Sequence, residues 1–220
     1  MKRIPHSVYS TLFSVVHLAL GINVSLALVS LPFLAILVTT DPSLSWPALA
    51  VTAVPAGMGI AASFGTFREH ADGEASVFRT FFRQLAQHWK TSLALSALTI
   101  ATVTVAAVDI FVLVPTGAGA IVAPLLAVIA LLALATAIVG FTAIVEDPRA
   151  RLIDVLRISL LIAVRRWPFT IAAFAVIGVQ AAVITQAPAL GIGLTAAACL
   201  YVVWAGARYS LRPALRPASS

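Results

Sequence analysis

Long stretches without a charged residue constrain this chain more than any other feature of its sequence. Asp, Glu, Lys and Arg are absent from residues 4–40, 42–67, 91–108, 110–145 and 167–207. Because a helix of about 20 apolar residues crosses a bilayer, these stretches are long enough to hold several crossings. Charged residues make up only 10% of the chain, whereas about 25% is usual in soluble domains. The sequence therefore predicts an integral membrane protein without a sizeable soluble domain.

Turn-forming residues divide the longer apolar stretches into hairpins. Thr39-Thr40-Asp41-Pro42-Ser43, Pro115-Thr116-Gly117-Ala118-Gly119 and Gln186-Ala187-Pro188 each separate two apolar segments, because proline and glycine interrupt helices. The prediction is an all-α polytopic protein that forms one membrane domain over residues 1–220. Its six transmembrane helices are expected near residues 12–38, 46–67, 91–114, 119–145, 168–186 and 188–207.

The basic residues predict the orientation of these spans. All 14 Lys and Arg lie before the first span, after the sixth, or in the connections between spans two and three and spans four and five. Lys and Arg close to span ends are retained on the cytoplasmic side. We therefore expect a multi-pass protein of the cell (plasma) membrane with both termini in the cytoplasm. Its positive cytoplasmic face is expected to attract anionic lipid headgroups, so the basic composition requires no nucleic-acid partner.

Each of the two basic connections is predicted to contain an amphipathic cytoplasmic helix. In the first, over residues 74–89, the apolar face comprises Phe78, Phe81, Phe82, Leu85 and Trp89, and the polar face comprises Arg79, Arg83, Gln84 and Gln87. Aromatic residues opposite arginines are typical of a helix at the membrane interface that faces lipid or a partner. The second helix follows Asp147-Pro148 and is more apolar, so part of it is expected to dock against the bundle. Arg79 and Arg157 correspond at an offset of 78, which suggests a parallel internal repeat.

Polar residues inside the spans are candidates for function, because polar groups are costly in the bilayer. His17, Asn23, Asp109 and Gln180 form the candidate intramembrane polar site. Structural roles are the alternatives: His17 could bond a neighbouring helix, Asn23 could join two helices, and Asp109 could reach the outer headgroups.

Small residues recur every four positions in the second span, at Ala53, Gly57, Ala61 and Gly65. Such a stripe lets two helices approach closely. The sequence predicts a helix-packing surface there, with either span one or another protomer as the partner.

The order of several residues resembles that of a known family. The residues are Asn23, Leu31-Pro32, Pro55, Gly73, Phe81-Phe82 and Trp89. Together they resemble the YesL-like family of bacterial integral membrane proteins of unknown function, most clearly over residues 10–95. Members are often encoded beside sugar-uptake ABC transporters, so the resemblance implies an accessory role in carbohydrate uptake and an ABC transporter permease as a possible partner.

No catalytic pattern accompanies these features. The four histidines are scattered, and metal-ligand spacings, phosphate-binding glycine loops and nucleophile elbows are not found. We expect a non-catalytic protein without metal or cofactor, possessing an accessory or regulatory role. The alternative is a small secondary transporter or permease with an intrabundle polar site, and an intramembrane enzyme ranks third.

Overall fold

The computed structural model describes residues 6–73 and 76–215, and the described chain is helical throughout except for short turns. The elements in order are α1 (His6–Val29), α2 (Leu31–Thr39), α3 (Pro42–Ala71), α4 (Val77–Leu113), α5 (Gly119–Glu146), α6 (Leu152–Arg165), α7 (Trp167–Gln186), α8 (Pro188–Leu190), a π-helix (Gly191–Thr195) and α9 (Ala196–Leu215). The predicted all-α polytopic fold is confirmed. Lys2, Arg3, Glu74 and Arg216, which contributed to the predicted topology and to the first cytoplasmic helix, lie outside the described residues.

Five helical segments are long and apolar enough to cross a membrane, namely α3, α4, α5, α7 and the continuous segment Pro188–Arg212. The pair α1 and α2 makes a sixth span only if it is counted as one broken crossing, because its two axes differ by 71°. The break lies at Ser30, directly before α2 with Pro32 in its first turn. Proline lacks the N–H that would continue the hydrogen-bond ladder. The predicted first span, 12–38, is therefore a bent helix pair.

The centre of the bundle is formed by α3, α4 and α5, which pack side by side in chain order. α1 packs on α3 and α4, α6 packs on α5, and α9 contacts α3, α5 and α7. Large side chains fill the space between these helices, including the fully buried Ile22, Phe64, Phe81 and Leu95. No residue of α7 is buried, so this helix lies at the periphery.

The small-residue stripe of α3 is filled by α4. A Cβ atom added at Gly57 would lie 2.7 Å from Ser96 Cβ, and one added at Gly65 would lie 2.7 Å from Gln84 Cδ. The Ser96 hydroxyl also donates across the contact to the carbonyl of Val54, at 2.9 Å. Ala61 is buried and Ala53 is half-buried. The stripe is thus used within the chain, and its partner is span three, which the sequence prediction had not considered.

The two basic connections differ in structure. The first is part of α4, which runs without a break from Val77 to Leu113. The predicted cytoplasmic helix over residues 74–89 and the predicted span at 91–114 therefore belong to one helix, and their expected separation is wrong. The second is a separate helix, α6, which ends at Arg165 before Pro168. At an offset of 78, the position of Pro168 is occupied by Lys90. Because lysine continues a helix and proline interrupts one, the first copy is continuous and the second is broken.

Buried positions nevertheless coincide between the two copies. Val77 corresponds to Val155 and Phe81 to Ser159 at the same offset of 78, and all four are buried. In each copy the basic segment packs against the helix that precedes it, α4 on α3 and α6 on α5. This agreement supports the parallel repeat and shows that α6 docks on the bundle.

Candidate functional site

Residues of the predicted polar site converge on the π-helix of residues 191–195. A π-helix is wider than an α-helix and is found frequently at functional sites. Gly191 allows α7 to approach this segment, because an added Cβ would lie 2.6 Å from Ile184 Cγ1. Two of the four predicted polar residues, Asn23 and Gln180, form hydrogen bonds to the π-helix and its junction with α9.

Asn23 bridges two backbone groups at the end of the π-helix. Its Nδ2 donates to the carbonyl of Gly193 at 2.9 Å, and its Oδ1 accepts from the backbone N–H of Ala197 at 2.7 Å. In a regular α-helix, two groups four residues apart would bond to each other. The side-chain amide therefore stands between the two groups of one helical hydrogen bond. Asn23 is only 1% exposed, so the bridge joins α1 to α9 inside the bundle.

Gln180 holds the beginning of the same segment from α7. Its Nε2 donates to the carbonyl of Gly191 at 2.7 Å. The hydroxyl of Thr195 donates to Gln180 Oε1 at 2.8 Å and lies 3.2 Å from the Gly191 carbonyl. Backbone groups left free by a π-helix need partners in lipid, where water is absent. We call Asn23, Gln180 and Thr195 the π-helix clamp.

The other two predicted polar residues lie elsewhere. His17 is exposed on α1, and Asp109 is exposed four residues before the end of α4. Neither forms a hydrogen bond or ion pair with another described residue. The structure therefore brings together Asn23 and Gln180 and leaves His17 and Asp109 outside the clamp.

The chemistry of the clamp is that of hydrogen bonding between amides, a hydroxyl and backbone groups. Each amide uses its oxygen and one N–H on protein groups. A neutral amide has no proton to transfer at ordinary pH. Among the described residues, no three His, Cys, Asp or Glu side chains lie close enough to hold a metal ion. The arrangement is suited to fixing a helix conformation.

The aromatic residues predicted to share one face of residues 74–89 are divided between core and surface. Phe81 is fully buried, whereas Phe78, Phe82 and Trp89 are each at least 40% exposed. Phe81 contacts Phe82 edge to face, with ring centroids 5.4 Å apart. The exposed aromatics, together with the exposed Arg79, form a surface strip on α4.

Polar residues on α4 also occupy positions that the sequence prediction did not give them. Gln84, expected on the outer face, is buried against Gly65 and donates to Glu69 of α3. Arg83, expected to face lipid or a partner, forms an ion pair with the same Glu69 carboxylate. The prediction for Gln84 is wrong because Gly65 leaves room for its side chain, and its buried Nε2 finds an acceptor in the Glu69 carboxylate, although its Oε1 has no partner among the described residues.

Two further contacts join helices at the basic end of the bundle, and neither was predicted from the sequence. Arg68 of α3 donates to the carbonyl of Val145 at the end of α5. Arg208 of α9 forms an ion pair with Glu146 at 2.9 Å and lies over the ring of Trp204, 5.1 Å from its centroid. The sequence places acids and arginines at the ends of the spans, but it does not show which of these residues contact each other. These contacts tie α3, α5 and α9 together.

The comparisons with known proteins give no relative for this chain. No family model, no curated protein and no solved structure matches the sequence or the fold.

Proposed function

We propose that this chain is a non-catalytic integral membrane protein with an accessory or regulatory role in carbohydrate uptake. The observation that carries the first part is the π-helix clamp. Asn23 and Gln180 bind backbone groups of the chain itself, so their hydrogen bonds serve the fold. Buried polar groups used in this way hold helices together.

The surface strip of α4 supports the accessory role. Phe78, Phe82 and Trp89 are exposed beside Arg79, which pairs with no described acid. Aromatic residues and arginine are enriched at protein interfaces, and the same combination suits the interface with anionic lipid. In our proposal this strip faces the cytoplasmic surface of a plasma membrane, as the distribution of basic residues predicts.

The family resemblance gives the context of the proposal. Its residues include Asn23 and the Phe81-Phe82 pair, of which Asn23 and Phe81 are buried. We propose an ABC transporter permease for carbohydrate as the partner, with the exposed Phe82 and Arg79 at the contact.

Affinity purification from native membranes, after mild cross-linking, tests this proposal. A carbohydrate permease should be recovered with the native chain and should be lost from the double variant Arg79→Glu, Phe82→Ala. A matched control is Arg212→Glu with Val202→Ala on α9, which changes the same number of charged and exposed apolar residues. Recovery of the same proteins with all three chains, or of no permease with a folded native chain, contradicts the proposal.

The alternative function, a small secondary transporter, is favoured by one feature of the clamp. Asn23 separates the Gly193 carbonyl from the Ala197 N–H, which are the two groups of one regular helical hydrogen bond, so withdrawal of Asn23 would let them bond to each other. Transporters bind solutes at interrupted helices. Flux of radiolabelled sugars into proteoliposomes distinguishes this alternative, because only a transporter should show uptake that depends on Asn23.

A further inference from the structure

An open groove lies on the outside of the bundle between α4, α5 and α6. It has a volume of about 450 Å³, and the residues that line it include Leu98, Thr99, Thr102, Ile129, Ala133, Thr136 and Arg157. Beyond the groove, the exposed face of α6 continues with Leu161, Val164 and Arg165. The volume of the groove falls in the range of about 300–1,000 Å³ that small-molecule sites occupy.

The groove presents an apolar surface even where threonines line it. The three threonine hydroxyls donate to carbonyls of their own helices: Thr99 to Leu95, Thr102 to Leu98 and Thr136 to Leu132, at 2.7–2.9 Å. The three hydroxyl protons are therefore already used in hydrogen bonds within the helices, and the threonine methyl groups are left to contact a bound molecule. Such a wall suits a hydrocarbon chain.

Arg157 is the exception in this apolar lining. It is exposed and forms no ion pair or hydrogen bond with a described residue, although Asp154 lies on the same helix. Arg165, at the end of the same helix, is likewise exposed and forms no ion pair or hydrogen bond with a described residue. Guanidinium groups bind phosphate strongly and can do so with two parallel hydrogen bonds. Two unpaired guanidinium groups beside an apolar groove thus complement one molecule that is both apolar and anionic.

We propose that this groove binds one anionic phospholipid, with an acyl chain between α4, α5 and α6 and the phosphate at Arg157 and Arg165. The groove opens to the outside of the bundle, since Leu98 and Ile129 are each more than 40% exposed, so a lipid enters it sideways from the bilayer. The site is independent of the function proposed above. It adds a specific lipid to the general attraction of the basic face.

Native mass spectrometry of the full chain in mild detergent tests the site. The chain is titrated with phosphatidylglycerol and, separately, with phosphatidylcholine. The native chain should retain one phosphatidylglycerol in preference to phosphatidylcholine. Arg157→Gln should weaken phosphatidylglycerol binding about fivefold, the effect expected for one basic residue at an anionic surface, whereas Arg157→Lys should retain most of it. Arg151→Gln is the matched control, because Arg151 is exposed near the start of the same helix but does not line the groove.

A second pair of variants tests the groove without changing charge. Ala133→Phe should fill it and reduce retention of both lipids, whereas Ala107→Phe, at an exposed position of α4 outside the groove, should not. Thermal unfolding of every variant identifies any that fails to fold. Equal retention by the native chain, Arg157→Gln and Ala133→Phe would overturn the proposal, as would an equal loss in Arg151→Gln. A dimer that covers Leu98 and excludes lipid would also overturn it.

Discussion

Replacement of Asn23 by alanine is the most direct test of the π-helix clamp. The change removes the donor to the Gly193 carbonyl and the acceptor of the Ala197 N–H. The Ala197 end of this bridge is buried, because Asn23 and Ala197 are each 1% exposed, whereas the bond to the exposed Gly193 is only partly buried. The substitution leaves the apolar packing of α1 largely in place, so the measured effect reports chiefly on the two hydrogen bonds.

The magnitude follows from the number of groups left without a partner. A buried polar group that loses its partner costs about 1–3 kcal/mol, but hydrogen bonds between membrane helices average only about 0.6 kcal/mol and reach about 1.7 kcal/mol. For two bonds we expect a loss of about 1–3 kcal/mol in the free energy of unfolding. The lower part of this range applies if Gly193 and Ala197 then bond to each other and the segment becomes regular α-helix.

Two measurements and two reference variants make the test specific. Unfolding in mixed micelles gives the free energy, and amide hydrogen exchange reports on residues 191–197. Ser25→Ala is the control, because Ser25 is fully buried on the same helix but donates only to Gly21 of α1. Asn23→Asp keeps the acceptor for Ala197 and places a carboxylate against the Gly193 carbonyl, so it should be at least as destabilising as alanine. If Asn23→Ala matches Ser25→Ala in stability and leaves exchange at Ala197 unchanged, the clamp does not stabilise the fold.

Three further predictions follow from packing and topology. Gly57→Leu should prevent folding or lower the unfolding temperature strongly, because the new side chain would collide with Ser96. Gly178→Leu is the control and should have little effect, because no atom lies within 4 Å of a Cβ added there. Similar melting curves for the two variants would contradict this prediction. Phe81→Ala should destabilise by about 3–5 kcal/mol and Phe82→Ala by much less, measured by chemical unfolding, since only Phe81 is fully buried. A cysteine placed at Arg79 should react with impermeant maleimide only from the cytoplasmic side, and labelling from outside would reverse the topology.

Breaks in the helices were predictable where a local rule decides them. Asp41-Pro42, Pro115-Thr116-Gly117 and Pro188 lie at the starts of helices or in turns, as expected. At Asp41 the carboxylate accepts hydrogen bonds from the hydroxyl and backbone N–H of Ser43, and these bonds lower its pKa. The continuity of α4 was predictable in principle from the same rule, because no proline or glycine occurs between Gly73 and Pro115.

Which side of each helix is buried in the bundle was much less predictable. In soluble proteins the apolar side of a helix points inward, but lipid is as apolar as a leucine side chain, so hydrophobic periodicity loses its meaning inside a bilayer. Gln84 is buried on α4, although amphipathicity placed it on the outer face of the helix. His17 and Asn23 lie on one helix, yet only Asn23 points into the bundle.

The sequence by itself determined that the chain is helical and membrane-embedded, because long apolar segments have a free energy of transfer that favours the bilayer whatever their neighbours are. It also determined most helix ends, through proline and glycine. Only the tertiary structure decided which polar residues meet. Asn23 and Gln180 are far apart in the chain, and they come together because the π-helix has backbone groups that two different helices satisfy. A hydrogen bond depends on distance and angle between specific atoms, and those are set by packing, which the pattern of apolar residues does not specify.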